Sequence, residues 1–416
     1  MKQKKEWALS TKKKAKKSRM IEKIIENFAI CSSFEELNLE PKPGLVTPTS
    51  KGSHKDMDYE IMKAGIESLV GYYSEAFSYG FLGESFNSLR RLGLLFEREM
   101  YKKTSGINTH LGSIFSLGIL VFLVGRIKRK CLVINSENFH ELIKKELESD
   151  EFRVLLKEGN FGARAEVISG YKNSFKYLDF DLTTRLLYLI QNVSDTNVIR
   201  RGGEKNAEEF KKLAAQAIDS GDLTEISKFA IEKNISPGGA ADILINSIFI
   251  EKVLDFEQER RENYFKEKLS HNDEMFEKTT GRSVVVLSLV VPGIEKDMKF
   301  FREFFEREYA KLKKFLNLEA EEIIFSKFGY YGIFPICKSE KELEDLKRKT
   351  VEIEKTGLID IDIYFEGKPI SRRDIGSPER RCLICENRAK DCYVSNAHGK
   401  SELLDRAITI MRNSQI

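Results

Sequence analysis

The 416-residue sequence is poor in proline, cysteine and tryptophan, with 8, 6 and 1 of these residues, and it has 27 glycines. So few prolines and glycines exclude a collagen-like or low-complexity chain. Six cysteines are too sparse for the disulfide framework of a small secreted protein. The longest apolar run, from Ile114 to Gly125, falls short of the roughly 20 residues that span a bilayer, which favours a buried helix. We therefore expect a protein of the reducing cytoplasm that does not bind a membrane.

The sequence also lacks a large excess of charge of one sign. It has 69 Lys and Arg residues and 65 Asp and Glu residues, for a net charge of +4. So small a net positive charge argues against a nucleic-acid-binding protein. A hydrophobic content of 41% is enough for full-sized cores and excludes a disordered chain. At roughly 150 residues per domain, the length predicts two or three domains.

Basic residues are concentrated only in residues 1–18. This segment contains eight lysines and one acidic residue, Glu6, and no apolar export segment follows it. A solvated tail and a phosphate-binding arm are both compatible with this composition.

Residues 19–254 have apolar spacings typical of helices, as at Ile21, Ile24, Ile25 and Phe28. We find no strand alternation there, so we predict an all-α domain. The predicted helices after the first are 61–73, Phe86–Tyr101, Ile107–Val124, Phe139–Leu147, Leu182–Val193, Ala207–Ile218, Leu223–Ile231 and Ala240–Leu254.

Residues 255–416 follow a different pattern. After a charged helix, Glu257–Leu269, the order of elements is β-α-β-β-α-β, which predicts a small α+β domain of ferredoxin-like type with a Cys-rich tail. A last helix begins near Glu402. The strands and helices are Ser283–Val291, Met298–Leu316, Ile323–Phe328, Tyr331–Ile336, Glu340–Ile353 and Leu358–Phe365, with a tight hairpin at Gly329–Tyr330.

Two polar loops precede helices in the first domain. One contains Lys42 between prolines, followed by His54 and Asp56. Prolines hold such a lysine in a rigid extended segment, although an ordinary turn with Ser53 or Asp56 as helix cap fits equally. The other loop contains Asn108 and His110 before the most apolar helix, where backbone amides suit an anion. A satisfied buried histidine is the alternative.

Three further loops have the same character. Arg164 and Glu166 combine a cation with a potential base, or form a surface charge pair. Asp195 and Asn197 offer oxygen ligands for Mg²⁺, and the Arg200-Arg201-Gly202-Gly203 segment that follows suits phosphates. The last loop, Ser236-Pro237-Gly238-Gly239, opens a helix that contains Asp242 and resembles a phosphate cradle. Five such loops on one helical scaffold predict a highly phosphorylated ligand.

In the second domain, Asp360 and Asp362 alternate along a predicted strand, so both carboxylates share one face. Paired aspartates of this kind bind Mg²⁺ in nucleotidyltransferases, and the alternative is the solvent face of an edge strand. Downstream, Arg372, Arg373, Arg380 and Arg381 are cations that suit a diphosphate, and Lys296 lies in the segment that closes the first strand.

The tail contains four potential metal ligands, Cys382, Cys385, Cys392 and His398. Four such groups could bind Zn²⁺ tetrahedrally. Reduced thiols or a redox pair are the alternatives.

The helical domain resembles the triphosphoribosyl-dephospho-CoA synthase family over residues 20–254. The resemblance is carried by PKPGLV, GSHKDMD, GINTHLGSIFSLG, GAR-x-E, DTN-x-x-x-RGG and SPGG-x-ADIL, in this order. It implies transfer of the 5-triphosphoribosyl group of ATP to 3′-dephospho-CoA with release of adenine. Such chemistry needs an acid for the leaving base, a base for the attacking hydroxyl, and Mg²⁺ with cations for the triphosphate.

Within this resemblance, we assign Mg²⁺ to Asp56, Asp195 and Asn197. The acid and base candidates are His54, His110 and Glu166, in an order that stays open. Substrate and phosphate contacts are assigned to Lys42, Asn108, Arg164, Arg201, Gly202, Gly203, Ser236, Gly238, Gly239 and Asp242.

Residues 257–416 resemble the phosphoribosyl-dephospho-CoA transferase, or holo-acyl-carrier-protein synthase, of citrate lyase. The motifs are VPG-x-x-KD, DID, SRRD and RRCL-x-C followed by Cys and His. The resemblance implies transfer of the nucleotide to a serine of the citrate lyase acyl-carrier subunit with release of diphosphate. Asp360 and Asp362 then act through Mg²⁺, and Lys296, Arg372 and Arg373 contact the substrate.

The sequence therefore predicts a bifunctional enzyme. Two alternatives stay open. In one, only the synthase is active and the second domain docks the carrier subunit. In the other, the chain is a zinc-dependent nucleic-acid-binding or regulatory protein, which the near-neutral charge disfavours.

Overall fold

The computed structural model describes residues 20–149, 151–152 and 162–414, so the basic segment 1–18 lies outside the described residues. The chain divides into two compact units, one from Glu22 to Arg260 and one that begins at Arg261 and also includes Ile21. The domain boundary predicted near residue 255 lies within a helix that begins at Gly238 and ends at Thr279. The two units differ in secondary structure.

The first unit is helical and contains no strand among its described residues, as its apolar spacing predicts. Its helices are α1 (Ile21–Asn38), α2 (Tyr59–Glu67), α3 (Tyr72–Leu82), α4 (Phe86–Lys103), α5 (Leu111–Arg129), α6 (Phe139–Leu147), α7 (Gly162–Ile168), α8 (Lys172–Lys176), α9 (Leu182–Asn192), α10 (Thr196–Ser220), α11 (Thr224–Glu232) and the first part of α12 (Gly238–Thr279).

Helix α5 is the buried centre of this unit and packs along α3. Glycines permit the close approach, because a Cβ on Gly80 of α3 would lie 1.9 Å from the carbonyl oxygen of Phe122. A Cβ on Gly125 of α5 would lie 2.3 Å from the carbonyl oxygen of Phe77. Helix α5 is long and apolar enough to cross a bilayer, but 78% of its most apolar window is buried inside the protein. It is thus a core helix, as expected from its sequence.

Several helix boundaries differ from the sequence predictions. The predicted helix 61–73 is divided between α2 and α3, with a turn at residues 68–71, and the predicted helix Ala207–Ile218 belongs to α10, which begins at Thr196. Helix α5 begins at Leu111 and not at Ile107, because the Asn108 side chain accepts the backbone N–H of Leu111 and ends the preceding loop. The predicted break between residues 254 and 257 is absent, since α12 is continuous through it. Asp58 caps α2, accepting the N–H of Ile61, in place of the predicted Ser53 or Asp56.

The second unit contains a five-stranded antiparallel sheet of order β2-β3-β1-β4-β5. Its strands are β1 (Val284–Leu289), β2 (Glu322–Ser326), β3 (Gly329–Pro335), β4 (Ile359–Phe365) and β5 (Lys368–Ile370). Its helices after α12 are α13 (Lys299–Leu316), α14 (Glu340–Ile353), α15 (Ala389–Val394) and α16 (Lys400–Asn413).

Alternation along the strands separates two faces of this sheet. Ile361 and Ile363 of β4 are fully buried, whereas Asp360 and Asp362, which alternate with them along the strand, are half-buried. In the register of the sheet, Asp360 lies opposite Ser288 of β1. Both aspartates therefore share the face opposite Ile361 and Ile363, as the alternation predicts, and this face also carries the buried cluster of Val284, Val286 and Ile333.

The hairpin between β2 and β3 turns at Lys327-Phe328, two residues before the predicted turn. The Ser326 hydroxyl closes it by accepting the N–H of Phe328 and donating to the carbonyl oxygen of Gly329. Tyr330 belongs to the strand because its ring is fully buried in the core. The predicted Gly329–Tyr330 turn is therefore wrong.

Candidate active sites

A cavity of about 870 Å³ lies in the first unit where α5, α10 and α12 begin. Cationic side chains outnumber acidic ones in its wall, and helix N-termini present positive dipole ends, as an anionic ligand requires. Its charged and polar lining comprises Glu36, Lys42, His54, Asp56, Asn108, Thr109, His110, Arg164, Thr196, Asn197, Arg200, Arg201, Ser236 and Asp242.

The imidazole of His54 lies between a serine and an arginine at this wall. Its Nε2 is 2.7 Å from the Ser236 hydroxyl, and its Nδ1 is 3.5 Å from Nη1 of Arg201. Arg201 is itself held by donation to the carbonyl oxygen of Ser53 at 2.6 Å. Burial and Arg201 lower the pKa of His54, against an opposing effect of Asp56. His54 is thus neutral near pH 7 and able to accept a proton.

Asp195 connects two helix N-termini. Its Oδ1 caps α10 by accepting the N–H groups of Asn197 at 2.8 Å and Val198 at 3.4 Å. Its Oδ2 accepts the N–H groups of Gly239 at 2.7 Å and Ala240 at 3.1 Å in the first turn of α12. Both carboxylate oxygens thus accept backbone N–H groups of the two helices. This role differs from that of the Mg²⁺ ligand predicted from the sequence.

Two titratable groups are enclosed at the base of the cavity. Burial lowers the pKa of His110 to about 4, and neither ring nitrogen has a hydrogen-bond partner among the residues that the structure describes. Asp242 accepts the Ser113 hydroxyl at 2.8 Å, and burial raises its pKa to about 7. A Cβ on Gly112 would lie 1.8 Å from Oδ2 of Asp242, so the backbone of α5 approaches this carboxyl closely.

Lys42 forms a buried ion pair. Its ammonium lies 2.8 Å from Oε1 of Glu36 and donates to the carbonyl oxygen of Glu36 at 2.6 Å, and both side chains are at most 4% exposed. A cation paired in this way needs its partner, because a buried uncompensated charge is costly. Lys42 therefore contributes to the wall together with Glu36.

The side chains of Glu166 and Arg164 have different surroundings although the two residues are only two positions apart. Glu166 is buried and accepts the N–H and hydroxyl of Ser174, each at 2.8 Å, and the amide of Asn173 at 2.8 Å. It does not line the cavity and holds α7 to α8. Arg164 does line the cavity, with its guanidinium 5.6 Å from the ring centroid of Phe115.

A second group of acidic and basic side chains lies in the other unit, around Asp360 and Asp362 of β4. Oδ1 of Asp360 is 2.7 Å from Nη2 of Arg380. Burial and then the neighbouring Asp360 raise the pKa of Asp362 to about 6. Two carboxylates that disfavour each other's charge have the electrostatic character of a cation site.

Cations predicted near this pair have definite partners. Arg372 contacts the fully buried Glu354, which also pairs with Lys347 at 3.3 Å. Arg373 is exposed and pairs with Glu379 at 2.8 Å. Burial lowers the pKa of Lys296, as does the nearby Lys268. Arg372 therefore stabilises the loop after β5.

The four predicted zinc ligands come together in the tail. Their donor atoms all lie within 4.8 Å of one another. Sγ of Cys385 is 3.4 Å from Sγ of Cys392 and 3.3 Å from Nε2 of His398, and Cys382 completes the group. All six cysteines of the chain lie among the described residues and are free. A Cys₃His set at these separations can hold a metal ion.

A family model described as ATP:dephospho-CoA triphosphoribosyl transferase matches residues 22–261, more than half of the sequence. The chain belongs to this family. A second model, apo-citrate lyase phosphoribosyl-dephospho-CoA transferase, matches residues 251–414. The chain thus carries both transferases of citrate lyase prosthetic-group synthesis in tandem, and the predicted identity of the two domains is confirmed.

Relatives of the triphosphoribosyl transferase domain are similar over about half of the chain. A probable 2-(5″-triphosphoribosyl)-3′-dephosphocoenzyme-A synthase of Acinetobacter calcoaceticus is 30% identical over 255 residues, which cover 53% of this chain and 87% of that protein. A protein of the same description from Citrobacter koseri is 31% identical over 261 residues, or 52% and 86% of the two chains.

The cavity of the triphosphoribosyl transferase domain brings most of the predicted site residues together. Those that line it come from five separate segments of the chain, some in loops and some in the first turns of helices. They are Lys42, His54, Asp56, Asn108, His110, Arg164, Asn197, Arg201, Ser236, Gly238, Gly239 and Asp242.

Four predicted residues do not line this cavity. Asp195 and Glu166 are engaged in the buried hydrogen bonds given above. Gly203 has a φ of 78° and kinks α10, and a Cβ on Gly202 would lie 2.8 Å from Ile235. These two glycines therefore shape the helix behind Arg201.

The sequence predictions missed Glu36, and they named Arg200 and Arg380 only as cations suited to phosphates, without the contacts that these residues make. Glu36 was missed because a glutamate in an amphipathic helix carries no signal for a buried partner. Arg200 lies three residues after Asn197 on α10, and that helical spacing could have placed both at the cavity. The role of Arg380 at Asp360 depends on a contact between segments about 20 residues apart, which spacing alone does not indicate.

Proposed function

We propose that residues 19–254 transfer the 5-triphosphoribosyl group of ATP to the 2′-hydroxyl of 3′-dephospho-CoA and release adenine. The observation that carries this proposal is the cavity itself, in which a neutral His54 lies beside Ser236 and Arg201 in a cationic wall. In this reaction the bond between C1′ and the adenine nitrogen breaks, and a bond from C1′ to the attacking oxygen forms.

His54 is the general base in our proposal. It takes the proton of the 2′-hydroxyl, and its contacts with Ser236 and Arg201 orient the ring. Adenine needs a proton as it leaves, and the carboxyl of Asp242 is the donor that its environment favours, since its raised pKa keeps the proton near pH 7. His110, with its lowered pKa, serves as a neutral hydrogen-bonding group.

The triphosphate is retained in the product, so its charge must be balanced throughout. Arg164, Arg200 and Arg201 line the cavity and supply this balance. Asp56 and Asn197 have the oxygen ligands that Mg²⁺ prefers, and Mg²⁺ bound there would neutralise phosphate charge. Asp195 accepts the backbone N–H of Asn197 and so holds this residue in place at the cavity wall.

Residues 255–416 attach the nucleotide to a serine of the citrate lyase acyl-carrier subunit and release diphosphate. Asp360 and Asp362 would hold Mg²⁺, which stabilises charge on the leaving diphosphate. Lys296, Arg373 and Arg380 are the cations that the proposal places near this group. The sheet is ferredoxin-like in our interpretation, because β2, β3, β1 and β4 are neighbours in the order that a βαββαβ unit gives.

We further assign Zn²⁺ to Cys382, Cys385, Cys392 and His398. Thiolates and imidazole are the ligands that structural zinc prefers, and tetrahedral bonds of about 2.3 Å put sulfur atoms about 3.8 Å apart. The spread of the four donor atoms, at most 4.8 Å, accommodates such an ion without a change of backbone.

Mass analysis of the products tests both steps. The full chain with ATP, Mg²⁺ and 3′-dephospho-CoA should release adenine, and the added acyl-carrier subunit should gain the mass of the phosphoribosyl-dephospho-CoA group. Adenine release without any mass gain would leave the second domain as a docking module. Absence of adenine release would refute the proposed first step.

A further inference from the structure

The segment that contains the Cys₃His centre has almost no apolar core of its own. Among residues 380–400, only Cys392 is buried. Its order comes from a short hairpin in which Arg381 pairs with Arg388, while Cys382 donates its N–H to the carbonyl oxygen of Asn387 at 2.8 Å. So small a segment needs a cross-link or a metal ion to hold one conformation.

This hairpin contacts the strand that carries the paired aspartates at two points. Arg380, two residues before the first ligand, binds Asp360 at 2.7 Å and the carbonyl oxygen of Ile359 at 3.2 Å. Leu383, between the first two ligands, lies against Gly357, since a Cβ there would be 2.9 Å from Cδ2 of Leu383. Gly357 has a φ of 70° and forms the turn that leads into β4.

We propose that a metal ion in the Cys₃His centre holds Arg380 against Asp360, which makes the centre a positioning element of the transferase site. The proposal rests on the transferase function proposed above. With the metal bound, the hairpin has one conformation and the guanidinium stays at the aspartate pair. Without it, the hairpin lacks the burial that would fix Arg380, so Asp360 loses its ion-pair partner.

The test uses the full chain, four variants of the proposed centre and its target, one control variant and one double variant. Cys385→Ser removes a ligand, His398→Cys keeps four ligands, Arg380→Ala removes the proposed target, and Arg380→Lys keeps its charge. Cys337→Ser changes an exposed cysteine outside the centre and is the matched control. Zinc content, the visible spectrum after Co²⁺ substitution, adenine release and carrier mass gain are measured for each.

We expect about one zinc per chain in the wild type and in His398→Cys, with Co²⁺ bands typical of thiolate ligation. Cys385→Ser should lose the metal and slow carrier modification at least tenfold, while adenine release by the other unit is unchanged. Arg380→Ala should keep the metal and slow modification equally, with partial recovery in Arg380→Lys.

The double variant Cys385→Ser with Arg380→Ala decides the mechanism. If the metal acts through Arg380, the two changes together cost little more than either alone. Additive losses, or full transfer by metal-free Cys385→Ser, would overturn the proposal. Wild-type protein without metal would reject the centre, whereas wild type that binds metal but never modifies the carrier would reject the transferase function instead.

Discussion

Replacement of Asp195 by asparagine separates the role seen in the structure from the Mg²⁺ ligand predicted from the sequence. The carboxylate accepts four backbone N–H groups, two from the first turn of α10 and two from the first turn of α12. Asparagine has nearly the same shape but only one acceptor oxygen. Its amide nitrogen would then face two N–H donors in a buried position, and those donors would lose their partner.

The expected loss follows from these contacts. An unsatisfied buried donor costs about 1–3 kcal/mol, so two of them cost about 2–6 kcal/mol of local stability. The matched control is Asp181→Asn, because Asp181 caps only α9 and is exposed to solvent. Asparagine caps helices about as well as aspartate, so we expect a change below about 0.5 kcal/mol there.

Hydrogen exchange followed by mass spectrometry measures this effect in peptides that cover residues 236–246. At the lower limit of about 2 kcal/mol, their amides should exchange roughly thirtyfold faster in Asp195→Asn than in the wild type or in Asp181→Asn. Adenine release should fall as well, because Gly238 and Gly239 line the cavity. Unchanged exchange together with a higher Mg²⁺ requirement would refute this reasoning and support a metal ligand at Asp195.

Three further predictions concern titratable groups at the two sites. The pKa of Asp242 rises from 3.8 to about 7 in the folded protein, so its contribution to stability is present below pH 3.8 and is lost as the pH rises to 7. Urea unfolding should therefore show that Asp242→Asn gains up to about 4 kcal/mol relative to the wild type between pH 4 and 7, and parallel pH profiles would contradict this. In single turnovers, His54→Ala should slow adenine release at least about a hundredfold, and Ser236→Ala should slow it less. Equal rate losses in the two variants would count against His54 as the base. Asp360→Asn and Asp362→Asn should each slow carrier mass gain at least about a hundredfold while adenine release continues, and near wild-type transfer in the double variant would exclude the pair from the site.

The predictions of secondary structure succeeded where periodicity is strong. Helix α6 has the predicted bounds, Phe139–Leu147, because its apolar residues follow one face and a polar loop precedes it. They failed where side chains override the local pattern. Asn108 delays the start of α5, and Ser326 closes a turn two residues before the glycine that signals one. Side-chain hydrogen bonds of this kind depend on geometry that spacing does not encode.

The candidate site could be predicted as a set of loops but not as a set of contacts. Polar motifs before helices indicated which segments meet at the cavity, and most of their residues line it. Burial decided the rest, because a carboxylate such as Glu166 or Asp195 that is enclosed by N–H donors becomes part of the framework. The partner of Lys42 is Glu36 on α1, a pairing that only the folded chain reveals.

Residues of one motif can have different roles, because some face the cavity and others hold the helix ends together. Helix N-termini at the wall of a cavity favour anions through their dipoles, but the amides of two helices that begin side by side repel one another. In the segment DTN-x-x-x-RGG, Asp195 binds amides of both α10 and α12, while Asn197 and Arg201 face the cavity. Asp195 is thus needed behind the wall so that Asn197 and Arg201 can face the ligand. The dense polar motifs of this sequence therefore contain both the groups that contact substrate and the groups that hold the helix ends together, and their order in the chain does not distinguish the two.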